Sequence, residues 1–124
     1  MTGNTVAAEL GIEPAQSVLV INAPGDYGTL VGGLPPGTTV TRHRPADVVH
    51  AFAGNLQDLA EHGPVAVASV LPGGLVWVSY PKGDGCDIKP DQLRDAIHGW
   101  RPDTEVAIDD VWSAMRFRPE SEVE

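Results

Sequence analysis

The chain is poor in cysteine: Cys86 is the only one in 124 residues. An intrachain disulfide is excluded, and the expected compartment is reducing cytoplasm. No apolar run approaches the roughly 18 residues a membrane-spanning helix needs, so no membrane association is expected. The opening Met1-Thr-Gly-Asn-Thr5 lacks a basic region followed by an apolar stretch, and no signal peptide is expected. Basic residues are scarce, 8 Lys and Arg against 17 Asp and Glu, for a net charge of −9. That balance argues against a nucleic-acid partner, whose phosphates need a basic face. The one basic cluster, Arg42-His43-Arg44, reads as a solvated loop. Also missing are a G-x-S-x-G elbow, a P-loop and any zinc-type spacing among His43, His50, His62 and His98.

What is present suits one globular unit. Hydrophobic residues make up 42% and charged residues 20%, ordinary values for a soluble domain. A chain of this size buries roughly two-thirds of its unfolded surface. A single domain is expected over residues 1–119. Residues 120–124, within the acidic run Pro119-Glu-Ser-Glu-Val-Glu124, are expected to form a disordered, solubilising tail.

Apolar patterning predicts alternating elements. Val6 to Leu10 is a short helical piece ending at Gly11. Ser17 to Asn22 is a continuous apolar strand of the kind covered on both faces. Asp26 to Val31 forms a helical turn or two, broken by Gly32-Gly33. Thr38 to Thr41 is a β-branched strand, and Asp47 to Ala53 a third strand. Gly54-Asn55 then serves as turn and N-cap. Leu56, Leu59 and Ala60 mark a helix interrupted at Gly63-Pro64, with a second helical piece carrying Val65 and Ala68. Pro72-Gly-Gly74 is a turn before the strand Leu75 to Tyr80. Leu93, Ala96, Ile97 and Trp100 share one helical face. Glu105 to Ile108 and Ser113 to Phe117 are the last strands, too close in sequence to be anything but antiparallel. This pattern predicts an α/β fold: a small, doubly wound, mostly parallel six-stranded sheet in order 2-1-3-4-6-5, strand 6 antiparallel, helices on both faces.

Asp47-Val-Val-His-Ala-Phe52, then Leu71-Pro-Gly-Gly-Leu-Val-Trp-Val78, then a terminal antiparallel pair, resemble the second half of a class I S-adenosylmethionine methyltransferase. The resemblance spans roughly Leu10 to Pro119 and implies a Rossmann-like, three-layer methyltransferase-like core. A narrower resemblance rests on Leu10-Gly-Ile12, Val18-Leu-Val-Ile-Asn-Ala-Pro24, Trp77-Val-Ser-Tyr-Pro-Lys82 and Ile108-Asp-Asp-Val-Trp-Ser-Ala-Met-Arg-Phe117. These stretches are similar to a short bacterial group, domain-of-unknown-function family 3052, which brings no established activity.

A dinucleotide or S-adenosylmethionine loop needs glycines for close backbone approach, strictly G-x-G-x-x-G. Here the loop reads Asn22-Ala-Pro-Gly-Asp-Tyr-Gly28. Asn22 or Ala23 holds the first glycine place, Pro24 has no N–H to donate, and only Gly25 and Gly28 fit a remnant. The acid expected at the end of the second strand is replaced by Thr41-Arg42-His43-Arg44. No cofactor is therefore expected, S-adenosylmethionine being the least disfavoured. An open α/β sheet still leaves a crevice at the C-terminal ends of its strands, here between strands 1 and 3. The candidate ligand-binding residues are Asn22, Pro24, Gly25, Asp26, Tyr27, Asn55, Tyr80, Lys82 and Trp112.

Other chemistry is weaker. Tyr80-Pro-Lys-Gly-Asp-Gly-Cys-Asp87 is a Gly-rich loop after a buried strand, a common place for function, but Cys86 has no base beside it in sequence. Asp109-Asp110 with Asp87 is read as turn chemistry rather than a hard-metal cluster. His50 is expected to be a satisfied core histidine. Trp77 and Trp100 are expected as core anchors, and Trp112 either as core or as crevice rim. The sequence therefore favours a module that binds a small ligand or a protein partner without catalysis. The alternative is a divergent small S-adenosylmethionine-dependent methyltransferase, or other nucleotide-ligand enzyme, working through Asn22, Asp26, Tyr80 and Lys82. A homodimer through an edge strand is a third expectation.

Overall fold

The structure, a computed structural model, describes residues 6–82, 88, 90–93 and 96–120. Cys86, Asp87 and residues 121–124 lie outside them, and so do residues 94–95 of the expected fourth helix. In chain order the elements are α1 (Val6–Glu9), β1 (Ser17–Ile21), α2 (Tyr27–Leu30), β2 (Thr39–Thr41), β3 (Ala46–Phe52), α3 (Leu56–Ala68), β4 (Val70–Pro81), α4 (Pro90–Leu93), β5 (Trp100–Ala107) and β6 (Trp112–Pro119). The strands form one sheet in the order β2-β1-β3-β4-β6-β5. The pairs β1–β2, β1–β3 and β3–β4 are parallel, while β4–β6 and β5–β6 are antiparallel. The expected topology is the observed one. Among the described residues, no helix is long and apolar enough to cross a membrane.

Alternation of side chains along each strand splits the core in two. Leu19, Val49, Ala51, Val76, Val78 and Phe117 bury against Leu59 and Ala66 of α3 and Leu93 of α4. Val18, Val48, Phe52, Trp77 and Ala114 bury on the other face with Ala7, Leu10, Ile12, Tyr27 and Val31. The Trp77 indole N–H donates to the Leu10 carbonyl at 2.9 Å. This bond across 67 positions ties the chain after α1 to the middle of the sheet, as a buried tryptophan's polar edge requires.

Three local expectations are corrected. Gly63-Pro64 does not interrupt α3, which runs unbroken with Pro64 inside it. Proline removes one helical donor and crowds the residue before it. Here that residue is a glycine, and Gly63 is buried, with Ile97 only 3.0 Å from where a Cβ would stand. Packing of Leu59, Gly63 and Ala66 on the sheet outweighs one lost bond. Pro72-Gly73-Gly74 is not a turn between elements but a bulge within β4: Ala46 pairs with Val70 and Val48 with Leu75. The excess residues loop out, Gly73 in the left-handed region (φ 80). Gly74 lies so close to the Asp47 carbonyl that a Cβ would stand 2.4 Å from its oxygen. Finally, Leu93 and Ile97 are buried as expected, but Trp100 opens β5 rather than completing a helical face. Gly99, with φ 83, ends any helical path. Pro102 masks the longer strand in the sequence, and it is tolerated because β5 is the sheet edge.

The step from β2 to β3 shapes the site region. Thr41 and Val49 both pair with Leu19, so the chain leaves β2 three residues above the start of β3 and must cross β1. Strand spacing and rise put those ends about 14 Å apart, and five peptide steps reach about 17 Å at most. The connection 42–45 is therefore too short for a helix, and it bends at each of its four residues, the His43 N–H donating to the Thr41 hydroxyl at 3.0 Å. It includes a cis peptide bond between Arg44 and Pro45.

Candidate functional site

At the ends of β1 and β3, where the crevice is expected, the loop that leaves β1 supplies most of the candidate residues. Asn22 holds φ 62, the left-handed conformation that a glycine would supply here and that asparagine tolerates best of the other residues. Its side-chain amide donates to the Phe52 carbonyl at 3.0 Å, fastening the end of β1 to the end of β3. Asp26 caps α2: its carboxylate accepts from the Thr29 N–H at 3.0 Å and from the Thr29 hydroxyl at 2.7 Å. These bonds hold its pKa below the usual carboxylate value. Asn55 caps α3 by accepting from the Asp58 N–H at 2.8 Å, and Asp58 in turn accepts from the Gly54 N–H at 3.1 Å. Pro24 and Gly25 are exposed at the loop tip.

Tyr27 points inward. Its hydroxyl lies 2.7 Å from His50 Nδ1, and His50 Nε2 lies 2.5 Å from the Ser79 hydroxyl. His50 is the satisfied core histidine expected from its apolar strand. Burial pushes its pKa down to about 3 and raises that of Tyr27. A neutral imidazole donates from one nitrogen and accepts at the other, so Tyr27 and Ser79 play opposite roles whichever tautomer is present. Phe52 stacks on His50 with ring centroids 4.5 Å apart, and Tyr27 and Trp112 meet that stack edge-on. Trp112 is half-buried against this core, between its two expected roles.

Tyr80 faces the opposite side of the sheet from Tyr27. Its hydroxyl donates to Glu105 at 2.6 Å, and the Ser113 hydroxyl donates to the same carboxylate oxygen at 2.7 Å. Those bonds, Tyr80 first, and the nearby Lys82 charge hold Glu105 below its usual pKa. Asn22, Asp26 and Asn55 thus flank the β1/β3 end, whereas Tyr80 and Lys82 belong to a second cluster with Glu105 and Ser113. Sequence reasoning missed Glu105 and Ser79. For Ser79 a signal existed: a lone hydroxyl in an apolar strand, beside a strand with a lone histidine. Glu105 carried none, since an acid on an edge strand ordinarily faces water.

Asp109 accepts from the Val111 and Trp112 N–H groups at 2.8 and 2.7 Å, the turn chemistry expected of it. Among the described residues, no three His, Cys, Asp or Glu side chains are grouped to hold a metal.

Tested against an adenosyl cofactor, the loop fits in part. Asn22 keeps the tight turn, and Gly25 is the described glycine with neither a left-handed backbone nor any atom within 4 Å of a built Cβ. Counting from Asn22, however, the second and third glycine places hold Pro24 and Tyr27, and no carboxylate follows β2 to hold ribose hydroxyls.

No family model and no curated protein sequence matches the chain. Solved structures do. TrmN from Thermus thermophilus superposes with a TM-score of 0.65 at 12% identity, covering 92% of this chain and 47% of its own. DhpI, in its complex with SAH, gives 0.54 at 12% identity, covering 87% of this chain and 78% of its own. A ribosomal protein L11 methylase from Lactobacillus delbrueckii subsp. bulgaricus gives 0.51 at 12% identity, covering 91% and 74%. The chain thus spans about half the length of TrmN. At this identity the likeness shows the fold, an α/β methyltransferase-like core whose β6 runs antiparallel to its neighbours.

Proposed function

We propose that the chain is a divergent methyltransferase-like core that holds an S-adenosyl ligand at the C-terminal ends of β1 and β3. Gly25 carries the reading. Its backbone does not need glycine and no atom lies within 4 Å of a built Cβ, so beyond the bend that leads into α2 the backbone here is open to a ligand. The S-adenosyl-type ligand named in the DhpI structure supports the ligand class, and so does the preserved turn at Asn22.

A second reading is a module that binds a small ligand or protein partner without methyl transfer. It is favoured by the engagement of Asn22, Asp26 and Tyr27 in bonds within the protein and by the missing acid after β2. Calorimetric titration with S-adenosylmethionine and S-adenosylhomocysteine separates the two. Binding, weakened at least about tenfold (1.4 kcal/mol) in Gly25→Val with an unchanged melting temperature, supports the first. A ligand at a hundredfold excess over Kd stabilises by about 2.7 kcal/mol, so a flat thermal-shift response at millimolar ligand refutes it and leaves the second.

A finer kinship with family 3052 is proposed on Pro81-Lys82 and on the run Asp110-Val-Trp-Ser-Ala-Met-Arg-Phe117. The lone Cys86 supports a reducing, cytoplasmic setting.

A further inference from the structure

The short β2–β3 connection borders an open groove of about 630 Å³ beside β1, within the roughly 300–1,000 Å³ of ligand clefts. Leu19 and Ile21 of β1 and Val65 of α3 give it an apolar lining, and Arg42 and Arg44 of the connection line it as well. Ser69, the remaining polar side chain there, already donates to the Val65 carbonyl at 2.7 Å. Val65 is 44% exposed, a large apolar side chain left uncovered.

Charge sets these arginines apart. Arg101 pairs with Glu120, Arg116 and Arg118 pair with Asp103, and Lys82 lies in the field of Glu105. Among the described residues, Arg42 and Arg44 meet no carboxylate, in a chain whose acids outnumber its bases 17 to 8. They are two residues apart on a four-residue connection, and both line the groove. Guanidinium groups recognise carboxylate and phosphate through paired N–H donors. Two unmatched ones beside an aliphatic wall that is exposed at Val65 and half-buried at Ile21 ask for one molecule with both properties. Nucleic acid does not fit, since two arginines on a chain of net charge −9 offer no basic face to track a backbone.

We propose that this groove binds a small amphiphilic anion, a carboxylate or phosphate head on a medium-length hydrocarbon chain. The head lies between Arg42 and Arg44, and the chain lies on Leu19, Ile21 and Val65. Arg42 follows β2, where the ribose of an adenosyl ligand would lie, so the two proposed sites adjoin. They are told apart by Gly25→Val, which should weaken S-adenosyl binding and leave decyl phosphate binding unchanged.

The test is calorimetry on the full chain with four monomeric probes: decyl phosphate, decanoate, inorganic phosphate and decanol. Decyl phosphate and decanoate are expected to bind at least about tenfold more tightly than inorganic phosphate or decanol. The double variant Arg42→Glu/Arg44→Glu, and separately Val65→Asp, should each weaken both amphiphiles by at least about tenfold while the melting temperature holds. If the charge reversal unfolds the protein, Arg42→Gln/Arg44→Gln replaces it. Inorganic phosphate binding as tightly as decyl phosphate reduces the groove to an anion patch and overturns the proposal. Decanol binding equally well overturns it from the other side. So does unchanged affinity in the arginine variants, no binding by either amphiphile, or sedimentation with phosphatidic acid vesicles in the absence of monomer binding.

Discussion

Acidification should destabilise the fold through His50 well before its carboxylates titrate. The imidazole is fully buried, and burial holds its pKa near 3 against 6.5 in the unfolded chain. Between those values the unfolded state binds a proton that the folded state refuses. Stability therefore rises with pH across this window: it is complete above about 6.5 and is lost progressively as pH falls toward 3. One proton gives at most about 1.36 kcal/mol per pH unit. From pH 7 to pH 5 the loss comes to about 2 kcal/mol. With an unfolding entropy of about 2.1 cal/mol/K per residue, that lowers the melting temperature by about 7 °C. Asp26, Asp103 and Glu105 have lowered pKa values. Their contributions are present above the unfolded carboxylate pKa of about 4 and are lost below it, outside this interval. The assay is thermal melting followed by circular dichroism at pH 7, 6 and 5. The comparison is Tyr27→Phe/His50→Leu/Ser79→Ala, which removes the whole polar chain and leaves no orphaned partner. The variant should lack the slope. An equal loss in variant and native protein, or a native loss under about 0.5 kcal/mol, would refute the assignment of a neutral, buried imidazole.

Two further substitutions probe the parts of the fold that glycine and charge hold in place. Gly74→Ala puts a methyl group 2.4 Å from the Asp47 carbonyl oxygen and 2.7 Å from Val70 Cγ2, and should lower stability by about 1–3 kcal/mol. An unchanged urea midpoint would show that the bulge in β4 is not seated against β3 as described. Asp103→Asn breaks the two-pronged contact with Arg116, both arms 3.0 Å, and the 3.3 Å contact with Arg118. Burial raises the Asp103 pKa, but the donors from Arg116, Thr104 and Arg118 outweigh it. Because the cluster is partly exposed, a double-mutant cycle with Arg116→Gln should return no more than about 1 kcal/mol.

Strand order was legible because it follows from rules that act over short stretches. Apolar runs at Val18 and Val48 mark doubly covered strands, and the short span from Ala107 to Trp112 allows only an antiparallel return. What the sequence hid was set by tertiary contact. Pro64 reads as a helix breaker, and only the fit of Gly63 against Ile97 shows why the helix survives it. Pro72-Gly-Gly74 reads as a turn until the Asp47 carbonyl is known to lie against it. Trp100 has the right spacing for a helix face, but α4 is only Pro90–Leu93, and bends at Ala96 and Ile97 and the left-handed Gly99 lead the chain into β5 instead.

Which polar residues stand at the ends of β1 and β3 was legible in the sequence, and what they do there much less so, for the same physical reason. Asn22, Asp26 and Asn55 are short polar residues at strand and helix ends, where ligand contact and local capping select the same residue types. All three make capping or fastening bonds in the folded chain, so their identity cannot separate a ligand site from a well-made loop. Residues whose presence the fold does not account for are more informative. Gly25 has no conformational or packing reason to be glycine. Among the described residues, Arg42 and Arg44 meet no carboxylate, in a chain rich in carboxylates. Both sets stand where the β1–β2 side of the sheet is thinnest: β2 has three residues, and four residues carry the chain from it to β3. A sheet trimmed this way exposes aliphatic surface that a longer connection would cover. Arginines held over that surface are the feature that a purely structural account of the connection leaves unexplained.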